Sequence, residues 1–302
     1  LFFIISGYLF FRSGFMIRTY TDKLRRRVRT LLVPYILWNL LYLIRTAFRD
    51  IPAFSGLSHD TAQANWSLSA VLACFWDKSR GVFPVPASSY IYPQDFPLWY
   101  VRDLMVMVVL APVLYWMLKK VGWLAVVVLG MVWLALHSIC NITYWGQFFT
   151  AAFFFSWACY GLKGMDLVAS MRHRTWIALL YPLWAVADML KVEGIYGIYI
   201  HNIGIIFGIF SAVVLTAYLL ERGVIRVNKF LSDGSFFLYA LHALLMLVLA
   251  RCITKVFFVD SLFYTVALYF IVPCLTTAVS FGLYELLRRY TPRICAVLTG
   301  GR

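Results

Sequence analysis

The 302-residue chain is 63% hydrophobic and 13% charged, which excludes an ordinary soluble domain and places it among multi-span membrane proteins. Its formal net charge of +14 does not point to nucleic acid, and no nucleic-acid partner is predicted. The basic residues sit in short stretches between apolar runs, where they orient a protein in the lipid bilayer.

In chain order the apolar runs predict an all-α, polytopic membrane helix bundle with nine spans. These are Leu1–Phe11 (partial), Leu31–Phe48, Pro97–Leu118, Val121–Ile139, Thr143–Leu162, Thr175–Leu190, His201–Leu220, Ser235–Arg251 and Leu262–Leu287. They read as a single integral-membrane domain over 1–302, with a long extracytoplasmic loop at 49–96. Nineteen of the 27 Lys and Arg fall in Arg12–Arg29, Lys119–Lys120, Lys163–Arg174, Arg222–Lys229 and the tail Arg288–Arg302. Seven fall in the alternate loops, and Arg102 lies inside a span. The bias assigns the basic set and the C-terminus to the cytoplasm, so Leu1 begins in the outer half of the membrane. An earlier helix is then expected, making ten spans with both ends inside.

The first chemically suggestive stretch is Lys23–Arg29, with five cations in seven residues, read as part of a cytoplasmic loop. Orientation alone explains a basic loop, but a cluster this dense also suits a phosphate-rich ligand, because guanidinium groups hold phosphate bidentately. Arg26 and Arg29, one helical turn apart, would share a face. The loop at 49–96 carries Trp66, Trp76, Tyr90 and Tyr92, which fits either an ordered lid or ordinary interfacial aromatics.

Next come Trp99, Arg102 and Asp103 in Pro97-Leu98-Trp99-Tyr100-Val101-Arg102-Asp103. Arg102 falls about 7–8 Å along the helix from Pro97, roughly a quarter of the way into a ~30 Å hydrocarbon layer. Charges at such depth persist where they meet a partner or a wet cavity. Neighbours on a helix do not face each other, so Arg102 and Asp103 are expected to have different partners.

Gly204-x-x-x-Gly208-x-x-x-Ala212 aligns small residues for close helix packing. His242, in Ser235-Phe236-Phe237-Leu238-Tyr239-Ala240-Leu241-His242, is placed one to two turns into its span from the cytoplasmic side, either functional or bonded to a neighbouring helix. His59, His137, His173 and His201 fall in loops or at span ends and read as surface residues. The histidines occur singly, so no metal site is predicted. The six cysteines form no C-x-x-C pair, and a Cys74–Cys140 bridge is one option on the outer face.

Four segments together resemble the integral-membrane acyltransferase 3 family, in particular its surface-polysaccharide O-acetyltransferase branch. They are Phe2-Phe3-Ile4-Ile5-Ser6-Gly7-Tyr8-Leu9-Phe10, the arginine-rich stretch running into Leu32-Val33-Pro34-Tyr35-Ile36-Leu37-Trp38, Pro97 to Leu104, and Ser235 to His242. The resemblance implies transfer of an acyl group, usually acetyl, from cytoplasmic acyl-CoA to a sugar hydroxyl of a cell-surface glycan or its lipid-linked precursor. It implies acyl-CoA as co-substrate, with no bound cofactor, in the inner membrane.

The family's Arg-x-x-Arg element is matched by Arg26 and Arg29, with Arg25, Arg27 and Arg29 offering competing registers. Arg25, Arg26 and Arg29 are the implied acyl-CoA ligands. Trp99, Arg102 and Asp103 become acceptor-side or structural residues, and His242 and Tyr239 supporting residues. The family's catalytic histidine lies in an Arg-x10-His arrangement on a helix expected before Leu1, so none of the five histidines inherits its role. The chain as it stands is then expected to be inactive. A transporter or flippase for glycan precursors would also need buried charge and about ten spans, but predicts discontinuous helices and two related halves. An inert scaffold or sensor leaves the arginine cluster and the Arg102–Asp103 pair without a purpose.

Overall fold

A computed structural model describes residues 1–11, 17–48, 64–84, 91–136, 143–170, 174–190, 195–256 and 261–301. Among them there are helices and no strands, as expected of backbone that must satisfy its own hydrogen bonds in lipid. The longer helices are α1 (Phe2–Phe11), α2 (Ile17–Arg27), α3 (Val33–Ala47), α5 (Trp99–Val121), α6 (Trp123–Ala135), α7 (Thr143–Ser170), α8 (Arg174–Met189), α9 (Ile195–Glu221), α10 (Lys229–Val256) and α11 (Leu262–Tyr290). Two short ones, α4 (Leu68–Ala73) and α12 (Pro292–Leu298), join them. Every predicted span has its helix. Five described segments are long and apolar enough to cross a membrane: Thr19–Ala47, Phe96–Val121, Tyr199–Glu221, Lys229–Lys255 and Phe263–Tyr290. The protein is an integral membrane protein.

Three expectations need correction. The basic stretch read as a loop is helical: α2 runs through a π-helical segment, Val28–Leu32, directly into α3. The tail read from Arg288 onward completes α11 and then forms α12. The span read from Ser235 begins instead at Lys229, which moves His242 about 20 Å along α10, close to its midpoint. Polar and charged residues at helix ends extend helices beyond their apolar windows, because the backbone still gains its hydrogen bonds there.

The chain forms two compact units. One comprises residues 1–20 and 106–227. There Gly7 lets α1 approach α7 so closely that a Cβ would lie 2.4 Å from the Phe155 carbonyl oxygen. Trp133 of α6 stacks on Phe153 of α7 at 5.3 Å. The small-residue stripe of α9 packs as read: Gly204 abuts Trp184 and Gly208 abuts Tyr181, both on α8.

The other unit comprises residues 21–105 and 228–302. Here α10 and α11 pack through Phe230, Phe237, Phe281 and Tyr284. The short α12 docks on the π segment and α3. Trp38 Nε1 donates to the Leu298 carbonyl at 3.1 Å, and α12 closes with a Schellman cap in which Gly301 N–H bonds Ala296 O and Gly300 N–H bonds Val297 O. Gly300 has φ +73°, and a Cβ there would sit 2.3 Å from the Thr30 carbonyl oxygen. Gly300→Ala is therefore expected to destabilise the protein by about 1–3 kcal/mol. Gly282→Ala, with nothing within 4 Å of the new Cβ, should be neutral or slightly stabilising. Thermal unfolding of the two variants in one detergent checks the contrast.

Candidate functional site

The site forms in the second unit around Arg102, which is 1% exposed. A guanidinium in an apolar interior must satisfy its donors within the protein. Arg102 Nε donates to Asp103 Oδ1 at 2.8 Å. Its Nη1 donates to the Trp76 carbonyl at 2.8 Å and the Ile91 carbonyl at 3.1 Å, with the Trp76 ring 5.1 Å from Cζ. The expectation of different partners for Arg102 and Asp103 is overturned. The long arginine side chain folds back to its neighbour, which a rule based on Cβ directions does not anticipate. Asp103, 3% exposed, uses one oxygen; its Oδ2 has no hydrogen-bond partner among the described residues.

The two carbonyls held by Arg102 belong to the segment connecting α3 and α5, read from the sequence as either an ordered lid or ordinary interfacial aromatics. In the structure 64–84 and 91–98 pack against α3 and α10. Tyr35 donates its hydroxyl to the Phe75 carbonyl, and Tyr239 donates its own to the Pro97 carbonyl. Tyr35 lies about 24 Å along its span from Thr19, and Tyr239 about 15 Å along α10 from Lys229. Pro97 therefore meets α10 about ten residues from its start. Irregular backbone packed against helices needs protein groups to satisfy it, and side chains and main chain do so here. Lys78 N–H bonds Tyr92 O at 2.8 Å, and Gln94 N–H bonds Cys74 O at 2.6 Å. Cys74 is a free, buried thiol whose sulfur accepts from Val82 N–H, so the proposed bridge is not formed; Cys140 lies outside the described residues.

Asn39 and Asp95 complete the anchoring. Asn39, buried on α3, donates to its own helix at the Tyr35 carbonyl and accepts the Asp95 amide N–H through Oδ1, both at 2.9 Å. The Asp95 carbonyl in turn accepts the Leu98 N–H. The Asp95 side chain is 0% exposed, and neither carboxyl oxygen has a hydrogen-bond partner among the described residues. Burial alone pushes this carboxyl up to about 8. Asp95 lies just before the span that begins at Phe96.

Tyr239 and His242 come from one turn of α10, their rings 6.1 Å apart. His242 Nδ1 donates to the Tyr239 carbonyl at 2.6 Å, since a carbonyl only accepts. In a neutral ring this leaves Nε2 as a proton acceptor, the tautomer a base requires. The structure thus brings Tyr239, the segment before Trp99, and the Arg102–Asp103 pair into one site; the sequence reading had set them on opposite sides of the membrane.

Arg25, Arg26 and Arg29 are exposed on α2 and the π segment and form no ion pair among the described residues. Arg29 precedes Asn39 by about 15 Å along one continuous helix. Trp99 opens α5, half-buried. In the other unit His201 pairs with Asp188 at 2.9 Å, both accessible to solvent. His59, His137 and His173 lie outside the described residues.

The acyltransferase-domain family Acyl_transf_3 matches residues 1–285. The chain belongs to that family. The succinoglycan biosynthesis protein ExoH of Rhizobium meliloti (strain 1021) is 26% identical over 319 aligned residues, which cover 99% of this chain and 77% of that protein. No solved structure matches. The protein is a membrane acyltransferase, and the resemblance drawn from its four motifs holds. Two residues of this acyltransferase's site escaped the sequence reading. Asn39 is a lone amide in the apolar run Ile36 to Leu43, and Asp95 is an acid directly before Phe96-Pro97. A polar residue inside a span was the available signal for Asn39; only contacts distant in sequence single out Asp95.

Removing one partner from a buried ion pair strands the other. Arg102→Ala is thus expected to cost about 3–5 kcal/mol, and Arg102→Ala/Asp103→Ala less than the sum of its single changes, measured by denaturation in detergent. Asp95 also makes stability depend on pH. Between its ordinary value near 4 and about 8 the unfolded chain releases the proton while the folded chain keeps it. Stability should then fall by about 1.4 kcal/mol per pH unit across that window from this group, and level off above it. Asp95→Asn should remove that slope, which unfolding series at several pH values would detect.

Proposed function

We propose that the enzyme transfers an acyl group, acetyl in the first instance, from cytoplasmic acyl-CoA to a hydroxyl of a cell-surface polysaccharide or its lipid-linked precursor. In this reading it works in the inner membrane with its C-terminus in the cytoplasm, as the basic loops suggest. The observation that carries the donor assignment is the exposed trio Arg25, Arg26 and Arg29, free of ion pairs among the described residues, on a helix that continues into the site. Coenzyme A carries a 3′-phosphate and a diphosphate, and such groups attract a guanidinium cluster by charge-assisted bonds. The ~15 Å from Arg29 to Asn39 is of the order an extended pantetheine arm covers.

The acceptor class is supported by the family and by the relative's part in succinoglycan biosynthesis. At the inner end of the arm, transfer forms an ester C–O bond and breaks the thioester C–S bond. The hydroxyl proton has to be removed by a base, and His242, with its Nδ1 bonded to the Tyr239 carbonyl, is a supporting residue in this reading. Arg102 and Asp103 hold the connecting segment in place.

Labelled acetyl-CoA supplied to inverted membrane vesicles carrying the full-length protein tests the reading, with transfer to envelope glycan as the readout. Arg26→Ala and Arg29→Ala should raise the apparent KM for acyl-CoA on the order of tenfold each, with little change in KM for the glycan. Unaltered acyl-CoA dependence in both variants would remove the arginines from the donor site.

A further inference from the structure

The helix that links the basic cluster to Asn39 is not regular. Val28–Leu32 forms a π turn, closed by the Val33 N–H on the Val28 carbonyl. Its cause is legible in the residues. Pro34 has no N–H to give the Thr30 carbonyl four positions before it, and its ring crowds that carbonyl. The turn takes up one residue more than an α turn would. That residue rotates everything before it by about 100° around the helix axis, relative to an unbroken helix. Arg25 and Arg26 precede the turn and Arg29 lies in it, while the buried Tyr35, Trp38 and Asn39 follow it. The π turn thus decides on which side Arg25 and Arg26 stand relative to the face that carries Asn39.

The crowded carbonyl is the point at which α12 meets the turn. Gly300 is buried there, and with φ +73° and no Cβ it lets the two backbones touch at Thr30. Trp38 Nε1 holds the Leu298 carbonyl at 3.1 Å, which fastens the same short helix to α3 beyond the turn. Between these contacts Thr299 is 1% exposed, its hydroxyl on the Cys295 carbonyl. On its other side α12 packs against the end of α11. The π turn is therefore braced from outside its own helix. That brace begins at Pro292, beyond the residues 1–285 that the family matches.

Resting on the acyl-CoA reading of Arg25, Arg26 and Arg29, we propose that Pro34 and α12 are positioning elements of the donor site. Together they keep the π turn, and the turn aims Arg25 and Arg26 at the phosphates of acyl-CoA. Neither element touches the donor itself. A bidentate guanidinium–phosphate contact depends on direction as well as charge, so losing the turn weakens acyl-CoA binding and spares the transfer step.

Binding of acetyl-CoA to the purified full-length protein, with transfer kinetics beside it, tests this. Pro34→Ala restores the missing N–H and lets the helix close as α. The variant should unfold no more easily than the unaltered protein, yet bind acetyl-CoA on the order of tenfold more weakly. A merely structural Pro34 would not weaken binding in a protein of undiminished stability. Gly300→Ala pushes α12 off Thr30; the milder Trp38→Phe keeps a ring against Phe237 and loses the N–H. Both should raise the apparent KM for acetyl-CoA roughly fivefold, with kcat and the KM for glycan within about twofold. Adding Pro34→Ala to Arg25→Ala/Arg26→Ala should weaken binding no further, since the side chains it misplaces are gone. Amide hydrogen exchange over 28–33 reads the turn without any donor and should quicken in Gly300→Ala. Unaltered acetyl-CoA affinity in Pro34→Ala and Gly300→Ala, where the arginine variants bind weakly, overturns the proposal. Full additivity in the triple variant does so as well. If the arginine variants bind acetyl-CoA normally while exchange over 28–33 quickens as described, the donor reading fails and the brace on the π turn stands.

Discussion

A guanidinium inside a membrane protein is costly to leave without acceptors, and the candidate site is organised around those that Arg102 Nε and Nη1 find, its Nη2 having no hydrogen-bond partner among the described residues. Arg102 needs oxygen acceptors, and its own helix offers one, the neighbouring Asp103. The others are main-chain carbonyls of Trp76 and Ile91, which lie on two separate stretches of the segment connecting α3 to α5. Meeting the demand draws that segment against the helices, so the arginine acts as a clasp. The arrangement is self-consistent, because irregular backbone buried against helices also needs partners for its carbonyls.

Two tyrosines and an asparagine finish what Arg102 begins. Tyr35 and Tyr239 each give a hydroxyl to a carbonyl of the inserted segment, and Asn39 takes up the amide of Asp95. Side chains from α3, α5 and α10 thereby fix a short polar stretch in which the Asp95 carboxyl, like Asp103 Oδ2, has no hydrogen-bond partner among the described residues. His242 lies one turn along α10 from Tyr239, with Nδ1 committed to the Tyr239 carbonyl.

Legibility in the sequence followed the range of the interactions involved. The helices of the bundle were readable because they rest on a local property, a run of apolar residues, which in five described segments is long enough to span lipid. The close approach of α9 to α8 was readable at Gly204 and Gly208, since small residues at that spacing permit few other uses. The extent of α10 was not, because hydropathy does not register the polar first turns that place His242 near mid-helix. The pairing of Arg102 with Asp103 was missed for a related reason: a flexible side chain can return along its own helix, and spacing rules treat only where it starts.

The sequence by itself determined that this is a multi-span α-helical membrane protein, and its motifs named the acyltransferase family that residues 1–285 match. Lipid enforces that much locally, since each span must be apolar and must close its own backbone bonds. The tertiary structure alone decided which carbonyls of the connecting segment meet Tyr35 of α3 and Tyr239 of α10. It alone decided that the Asp95 carboxyl lies buried without a hydrogen-bond partner among the described residues. Both depend on carbonyls and amides that every residue carries alike, and which of these meets Arg102, Tyr239 or Asn39 is set only once distant parts of the chain are packed together.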